Sequence, residues 1–291
     1  MRDEERLDSI LAECAAGILP PPVAAMRLLM EAHDLRSAEA ALVRAGVEFG
    51  ANPRIRDIAR LIAKHPNAWS TIHAIGAAVQ HETPSDDPID HWARLFDNAV
   101  QVSPEGSVAL YSLGSPELLM KVTDEVAGVL DRWNLLGLRR AVLDVGCGIG
   151  RVETALAGRV ESIVGIDIAP AMIAQARQRC AELSNVSFLL GSGRDLIMVE
   201  DASMDLVLFV DTFPYLVLSG GDLAARHVAE AARVLRPEGD LVIFNVSYRD
   251  DPTEDLADLA RFGAASGLTV RRANERLCRL WDAPAFHLAK S

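Results

Sequence analysis

The sequence predicts an α/β protein: a doubly wound, mostly parallel sheet preceded by an all-helical N-terminal region. From residue 137 onward, apolar strand-like runs alternate with helical periodicity through Val246, the pattern of a parallel sheet covered by helices on both faces. In the first hundred residues only helical spacing is found, with no strand-like alternation to interrupt it. With 291 residues, half of them apolar, the chain is long enough for one large domain or two modest ones. We expect a helical domain over residues 1–104 and an α/β domain over residues 105–291.

Helical periodicity falls in Leu7 to Ala16, Val23 to Ala32, Ala38 to Ala45, Ile55 to Lys64 and Trp69 to Val79. Pro20-Pro-Pro22, Gly50-Ala-Asn-Pro53 and Thr83-Pro-Ser-Asp-Asp-Pro88 punctuate them, the last being the best linker. A helix over about 89–100 follows. Ser115-Pro-Glu-Leu118 starts another, because Ser caps, Pro suits the first turn and Glu complements the positive end. It is expected to run to about Leu136, with Gly137 ending it. A helix near Glu254 to Ala265 and a terminal hairpin, Thr269 to Trp281 with Ala285 to Lys290 around Asp-Ala-Pro284, complete the chain.

Val142 to Arg151 reads Val-Leu-Asp-Val-Gly-Cys-Gly-Ile-Gly-Arg, a buried strand breaking into a glycine turn and then a helix. Glycine lets the backbone turn where other residues cannot and lets a ligand approach the main chain. Gly146, Gly148 and Gly150 are therefore expected to turn amide groups toward an anionic group, aided by the helix N-terminus. Asp167 ends the next strand, Ser162-Ile-Val-Gly-Ile-Asp167, where a carboxylate can accept two hydrogen bonds from a ribose diol. Dinucleotide turns need glycine at the sixth position, which here is Arg151, and an Asp two residues ahead of the first glycine, Asp144, is unusual in them.

The run resembles motif I of the class I S-adenosylmethionine-dependent methyltransferases, Leu-Asp-x-Gly-Cys-Gly-x-Gly. Gly165-Ile-Asp-Ile-Ala-Pro-Ala-Met172 resembles that family's second motif, Val186-Ser-Phe-Leu-Leu-Gly-Ser192 its third strand, Met204-Asp-Leu-Val-Leu-Phe-Val210 its fourth, and Ala232 to Ile243 its Leu-x-Pro-x-Gly turn and fifth strand. The resemblance covers about Ser107 to the C-terminus. It implies a Rossmann-like sheet of seven strands whose terminal hairpin lies at the edge with the last strand antiparallel. It also implies S-adenosylmethionine as cofactor, bound by Asp144, Gly146, Cys147, Gly148, Gly150, Asp167, Ile168, Met172, Ser192, Gly193 and Val210. Asp167 would hold the ribose and Ile168 would pack on adenine. Two departures stand out. Ala169 replaces the usual Ser, weakening the cap of the following helix. Ser192 replaces Asp, so the adenine amine would meet an uncharged acceptor.

The implied reaction is methyl transfer to a small-molecule acceptor by in-line displacement, which asks the protein mainly to align two reactants and exclude water. Asp211 directly follows the fourth strand in Val210-Asp-Thr-Phe-Pro-Tyr215, as a base for the acceptor or merely as a partner of the following turn. Tyr111 lies where family members close over the donor's methionine end, though a core aromatic fits equally. His227, on the border of an apolar helical stripe, reads better as a buried structural imidazole than as a base. The alternatives are a donor-binding interaction module without turnover and a nicotinamide-linked oxidoreductase, with aminopropyl transfer a further cousin.

A net charge of −12 and the lack of a basic stripe interleaved with aromatics argue against nucleic acid. Cys14, Cys147, Cys180 and Cys278 are scattered, reading as free thiols in a reducing compartment. His65, His73 and His81 recur every eight residues rather than every three or four, so no metal is expected. With a charged start and no apolar stretch after it, neither a secretory signal nor a membrane span is expected, and a cytoplasmic location is expected by default. The helical domain is expected to cover the active site or to mediate a homodimer.

Overall fold

The computed structural model of the chain describes residues 2–78 and 87–290. Val79, His81 and most of the expected linker, residues 83–86, lie outside the described residues. The chain divides into two compact units, neither contiguous in sequence. The first comprises the described residues of 1–79, 98–125 and 278–282, and the second those of 80–97, 126–277 and 283–291.

Helices come first: α1 (Arg2–Ala15), α2 (Pro21–Glu31), α3 (Leu35–Glu48), α4 (Pro53–Lys64), α5 (Ala68–Ala78), α6 (Pro88–Val102), α7 (Pro104–Val108) and α8 (Pro116–Arg132). Their starts carry the residues that satisfy free amides: Asp34 accepts from the Ser37 amide, Asn52 from Arg54, Ser103 from Gly106 and Ser115 from Leu118. Leu11, Leu28, Leu29, Ile58, Ile72 and Ile75 are fully buried in the first unit, one apolar stripe from each of four helices.

In the second unit β1 (Gly137–Val145), β2 (Val160–Asp167), β3 (Val186–Leu190), β4 (Met204–Val210), β5 (Leu235–Phe244), β6 (Leu268–Glu275) and β7 (Ala285–Lys290) form one sheet in the order β3-β2-β1-β4-β5-β7-β6. The first five strands are parallel, and β7 runs antiparallel between β5 and β6. Interleaved are α9 (Arg151–Leu156), α10 (Pro170–Arg179), α11 (Phe213–Leu218), α12 (Leu223–Val234) and α13 (Pro252–Ala265). Val207, Phe209, Phe213, Val228, Leu241, Ile243 and Phe286 belong to one fully buried cluster. The strand order reverses between β1 and β4, and that reversal opens the crevice in which such sheets bind ligands, beyond the strands' carboxyl ends.

Two boundaries differ from expectation, one being β6, which ends at Glu275 and not at Trp281. Gly137 begins β1 instead of closing the preceding helix, which ends at Arg132. Asn134 takes the left-handed conformation at φ 58° and the Leu135 amide returns to the Leu130 carbonyl at 3.0 Å, so asparagine performs the helix stop that glycine usually supplies. Among the described residues no helix is long and apolar enough to cross a membrane.

Candidate functional site

The glycine turn begins where β1 ends. Gly146, Gly148 and Gly150 have φ of 78°, 53° and 77°, angles that glycine takes without strain. Their amides, however, are committed within the protein. Gly146 and Cys147 both donate to the Ile166 carbonyl at 2.7 and 3.0 Å, and Gly150 donates to the Cys147 carbonyl at 3.1 Å. Gly148 donates to Asp167 Oδ2 at 2.9 Å. The expectation that these amides face a ligand is thereby corrected: the loop folds back on the end of β2, giving two amides to the Ile166 carbonyl and one to Asp167. Helix α9 has only six residues, so its dipole adds little. What the glycines provide is closeness. A Cβ on Gly146 would lie 2.1 Å from Thr212 Oγ1, and that hydroxyl donates to the Gly146 carbonyl at 3.2 Å.

Asp167 is half-buried. Besides Gly148 on Oδ2, the Ala169 amide donates to Oδ1 at 2.9 Å. Burial pushes the Asp167 carboxyl above the ordinary value, opposed by the amides of Ala169, Gly148 and Ile168. Ile168 beside it is half-buried, while Met172 and Val210 are buried. Gly193, at φ 68°, lets Ile168 and Ile89 close in, since a Cβ there would sit 2.8 and 2.7 Å from their methyls. Ser192 donates to Asp195 Oδ1 at 3.0 Å and accepts from the Arg194 amide at 3.1 Å. Ala169 makes no side-chain cap for α10. The cap comes instead from Asp97, whose Oδ1 accepts from the Ala171 amide at 2.8 Å.

Beneath the loop lies a second acid pair. Asp144 and Glu153 are 1% and 0% exposed, and neither carboxyl receives a donor from another group among the described residues. Glu153 and Asp144 influence each other's titration, and burial of both favours protonated forms. Burial pushes Asp144 up to about 7, opposed by Arg151 and reinforced by Asp167. Glu153 is driven well above its usual range by burial and by Asp144. Room for it comes from Gly165, where a Cβ would stand 2.5 Å from Glu153 Oε1. Cys147 is buried, and burial together with Glu153, Asp167 and Asp144 keeps its thiol protonated, which suits packing and not nucleophilic attack.

The carboxyl ends of β4 and β5 form a second group. Asp211 has φ 64° and Asn245 φ 66°, a conformation tolerated best by these two residue types after glycine. Their strands pair so that Val210 faces Phe244, and the two side chains meet: Asn245 Nδ2 donates to Asp211 Oδ1 at 2.8 Å. The Tyr248 hydroxyl donates to the same oxygen at 3.3 Å and lies 3.4 Å from the Tyr215 hydroxyl. Tyr215 is flanked edge-on by Trp92, Phe96 and Tyr248, at 5.1, 5.0 and 5.8 Å. Tyr111 belongs to the first unit, where it is buried and stacked on Trp281. His227 is buried on α12, bonded to the Leu223 carbonyl, and burial lowers its pKa. Among the described residues no three His, Cys, Asp or Glu side chains are grouped to hold a metal.

A family model described as a methyltransferase domain matches residues 143–243, the stretch from the end of β1 to β5 that holds the glycine loop, Asp167 and Asp211. This stretch of the chain is similar to methyltransferase domains. Among its relatives, a demethylmenaquinone methyltransferase of Tropheryma whipplei is 35% identical over 107 residues, covering 37% of this chain and 42% of the relative. A tRNA (uracil-5-)-methyltransferase homolog A of Mus musculus is 35% identical over 126 residues, covering 40% of this chain and 20% of the relative. The chain thus spans less than half the length of either. Phosphoethanolamine N-methyltransferase 1 of Haemonchus contortus, solved with phosphoethanolamine and S-adenosylhomocysteine, is similar in fold at a TM-score of 0.53 and 17% identity, over 71% of this chain and 49% of that one.

Proposed function

We propose that the protein transfers a methyl group from S-adenosylmethionine to a small-molecule acceptor. The observation that carries this reading is Asp167: a half-buried carboxylate at the carboxyl end of β2, held by the glycine loop through Gly148 and by Ala169. That donor and acceptor chemistry fits a ribose diol. Ile168 is the apolar side chain that would pack on adenine, and Gly193 lets its methyl close in beside Ile89. Ser192, already donating to Asp195, would meet the adenine amine as an acceptor. Asp144, Cys147, Met172 and Val210 complete the walls. The donor supplies an electrophilic methyl on a sulfonium. The protein's part is to align the acceptor, exclude water and take up a proton, and Asp211 is the group at the strand ends fitted to that. Tyr111 receives no role, because its ring is committed to Trp281.

The net charge of −12 favours a small acceptor over nucleic acid. Arg151 at the sixth position of the turn argues against a nicotinamide cofactor. Titration calorimetry with S-adenosylmethionine, S-adenosylhomocysteine and NADH tests the reading: the two adenosyl ligands bind and NADH does not. Asp167→Ala weakens S-adenosylhomocysteine binding by about 1–3 kcal/mol, through loss of charge-assisted hydrogen bonds. Unchanged affinity in that variant removes Asp167 from the ribose. Release of S-adenosylhomocysteine with an acceptor separates an enzyme from a binding module.

A further inference from the structure

Resting on that reading of the donor site, we propose that the acceptor is an amine, held as its ammonium form against Asp211 and the rings of Tyr215 and Tyr248. Three observations point there. The Asp211 carboxylate is aimed by its left-handed backbone and by Asn245 and Tyr248, all converging on one oxygen, Oδ1. Its surroundings are aromatic, with Tyr248 44% exposed and Tyr215 half-buried in front of Trp92 and Phe96. The neighbouring cation, Arg249, is turned away to α13, where Glu254, Asp255 and Asp258 hold it at 2.8, 2.7 and 3.0 Å. A carboxylate beside aromatic faces attracts cations through charge and through the ring quadrupole. It repels carboxylate and phenolate acceptors.

Both phenols stay protonated, because desolvation at the hydroxyls and the Asp211 charge raise their pKa. They therefore donate hydrogen bonds and cannot serve as the base. Placement relative to the donor follows from the chain: the next residue, Thr212, bonds the Gly146 carbonyl of the glycine loop. In the step itself the ammonium gives one proton to the Asp211 carboxylate, which passes it to water. The freed nitrogen lone pair forms the new N–C bond as the S–C bond of the donor breaks with its electron pair staying on sulfur. The products are the methylated ammonium and S-adenosylhomocysteine. A carboxylate is a weak base for an alcohol but an adequate one for an ammonium, whose acidity lies many orders of magnitude closer to its own.

Choline and its uncharged carbon analogue 3,3-dimethyl-1-butanol are the probes, titrated by saturation-transfer NMR into protein saturated with S-adenosylhomocysteine. Choline is expected to bind at least tenfold more tightly. Asp211→Asn, whose side chain tolerates the left-handed backbone, is expected to lose that preference while keeping its melting temperature and its affinity for S-adenosylhomocysteine. Equal affinity for the two probes, or an undiminished preference in Asp211→Asn, overturns the amine assignment. Failure of the wild-type protein to bind S-adenosylhomocysteine overturns the donor reading instead, so the two failures are distinct.

Discussion

The sheet carries two clusters of candidate site residues at its carboxyl edge, and they are built differently. At the ends of β1 and β2, the glycine loop and Asp167 come from neighbouring stretches of chain, and backbone amides do most of the holding. At the ends of β4 and β5, Asp211, Asn245, Tyr215 and Tyr248 converge from separate segments, and side chains hold one another. An amide-held site is tied to the course of the backbone and suits a ligand that is always the same. A side-chain-held site can change its specificity one residue at a time without disturbing the strands beneath. The two regions touch where Thr212 meets Gly146.

That contact gives the largest predicted effect. In Gly146→Ala the new methyl would overlap Thr212 Oγ1 and Cγ2, at 2.1 and 2.3 Å, on a backbone at φ 78°. Overpacking plus left-handed strain should lower stability by about 3 kcal/mol, read from urea unfolding. Thr212→Ala alone should cost no more than about 1 kcal/mol, the worth of one hydrogen bond. Combined with Gly146→Ala it should recover part of the loss, because it removes two of the three overlapping atoms. A double variant no better than Gly146→Ala alone would show that the regions are not coupled through this contact.

The next effect separates the two regions by their acids. Asp144 and Glu153 lie buried with raised pKa values, so the folded protein binds their protons more tightly than the unfolded chain does. Their contribution favours the fold at low pH and is lost as pH climbs from about 4, the ordinary carboxyl range, through the folded value of about 7 for Asp144. Glu153→Gln keeps a donor toward Asp144 and removes one titrating group. Measured against wild type by urea unfolding at pH 5 and pH 8, the variant should gain relative stability by about 1 kcal/mol or more toward the higher pH. Exposed carboxylates whose pKa is lowered, such as Glu117 at about 2, act in the opposite direction in both proteins and cancel in the difference. Parallel pH profiles would mean that the pair does not hold its proton.

The contrast also explains what the sequence made legible. Strand, glycine turn, helix and acid follow one another within 142–167, so the first region could be read from local order alone. Glu153 escaped because a glutamate in the first turn of a helix reads as a partner for the dipole. Its signal was Gly165, a glycine inside a strand, which marks a close approach and here leaves space for Glu153 and Phe188. The loop amides were misread because an amide's direction depends on what closes behind it, here the Ile166 carbonyl. Asp211 was visible as an acid ending a strand. Asn245 and Tyr248 were not, since they reach it across 34 and 37 positions through the β4 and β5 pairing. The register of that pairing is a tertiary fact.

The start of α10 tests whether the first region is as local as its motif suggests. Ala169 cannot cap the helix, and Pro170 fixes only one angle and contributes no donor. The open amide of Ala171 is satisfied by Asp97 on α6, 74 residues earlier. Helix starts lacking a side-chain acceptor are commonly destabilised by about 1 kcal/mol, so Asp97→Ala should lower the unfolding free energy by about that amount. Removing this charge also lowers the Asp167 pKa, since Asp97 is among the groups that raise it. Ala169→Ser would restore a local acceptor: in the Asp97→Ala background it should recover most of the lost stability, whereas in the wild type, where the amide is already bonded, it should add little. Equal effects of Ala169→Ser in both backgrounds would show that the two acceptors serve different amides, and that Asp97 matters for α10 through its charge and not as its cap.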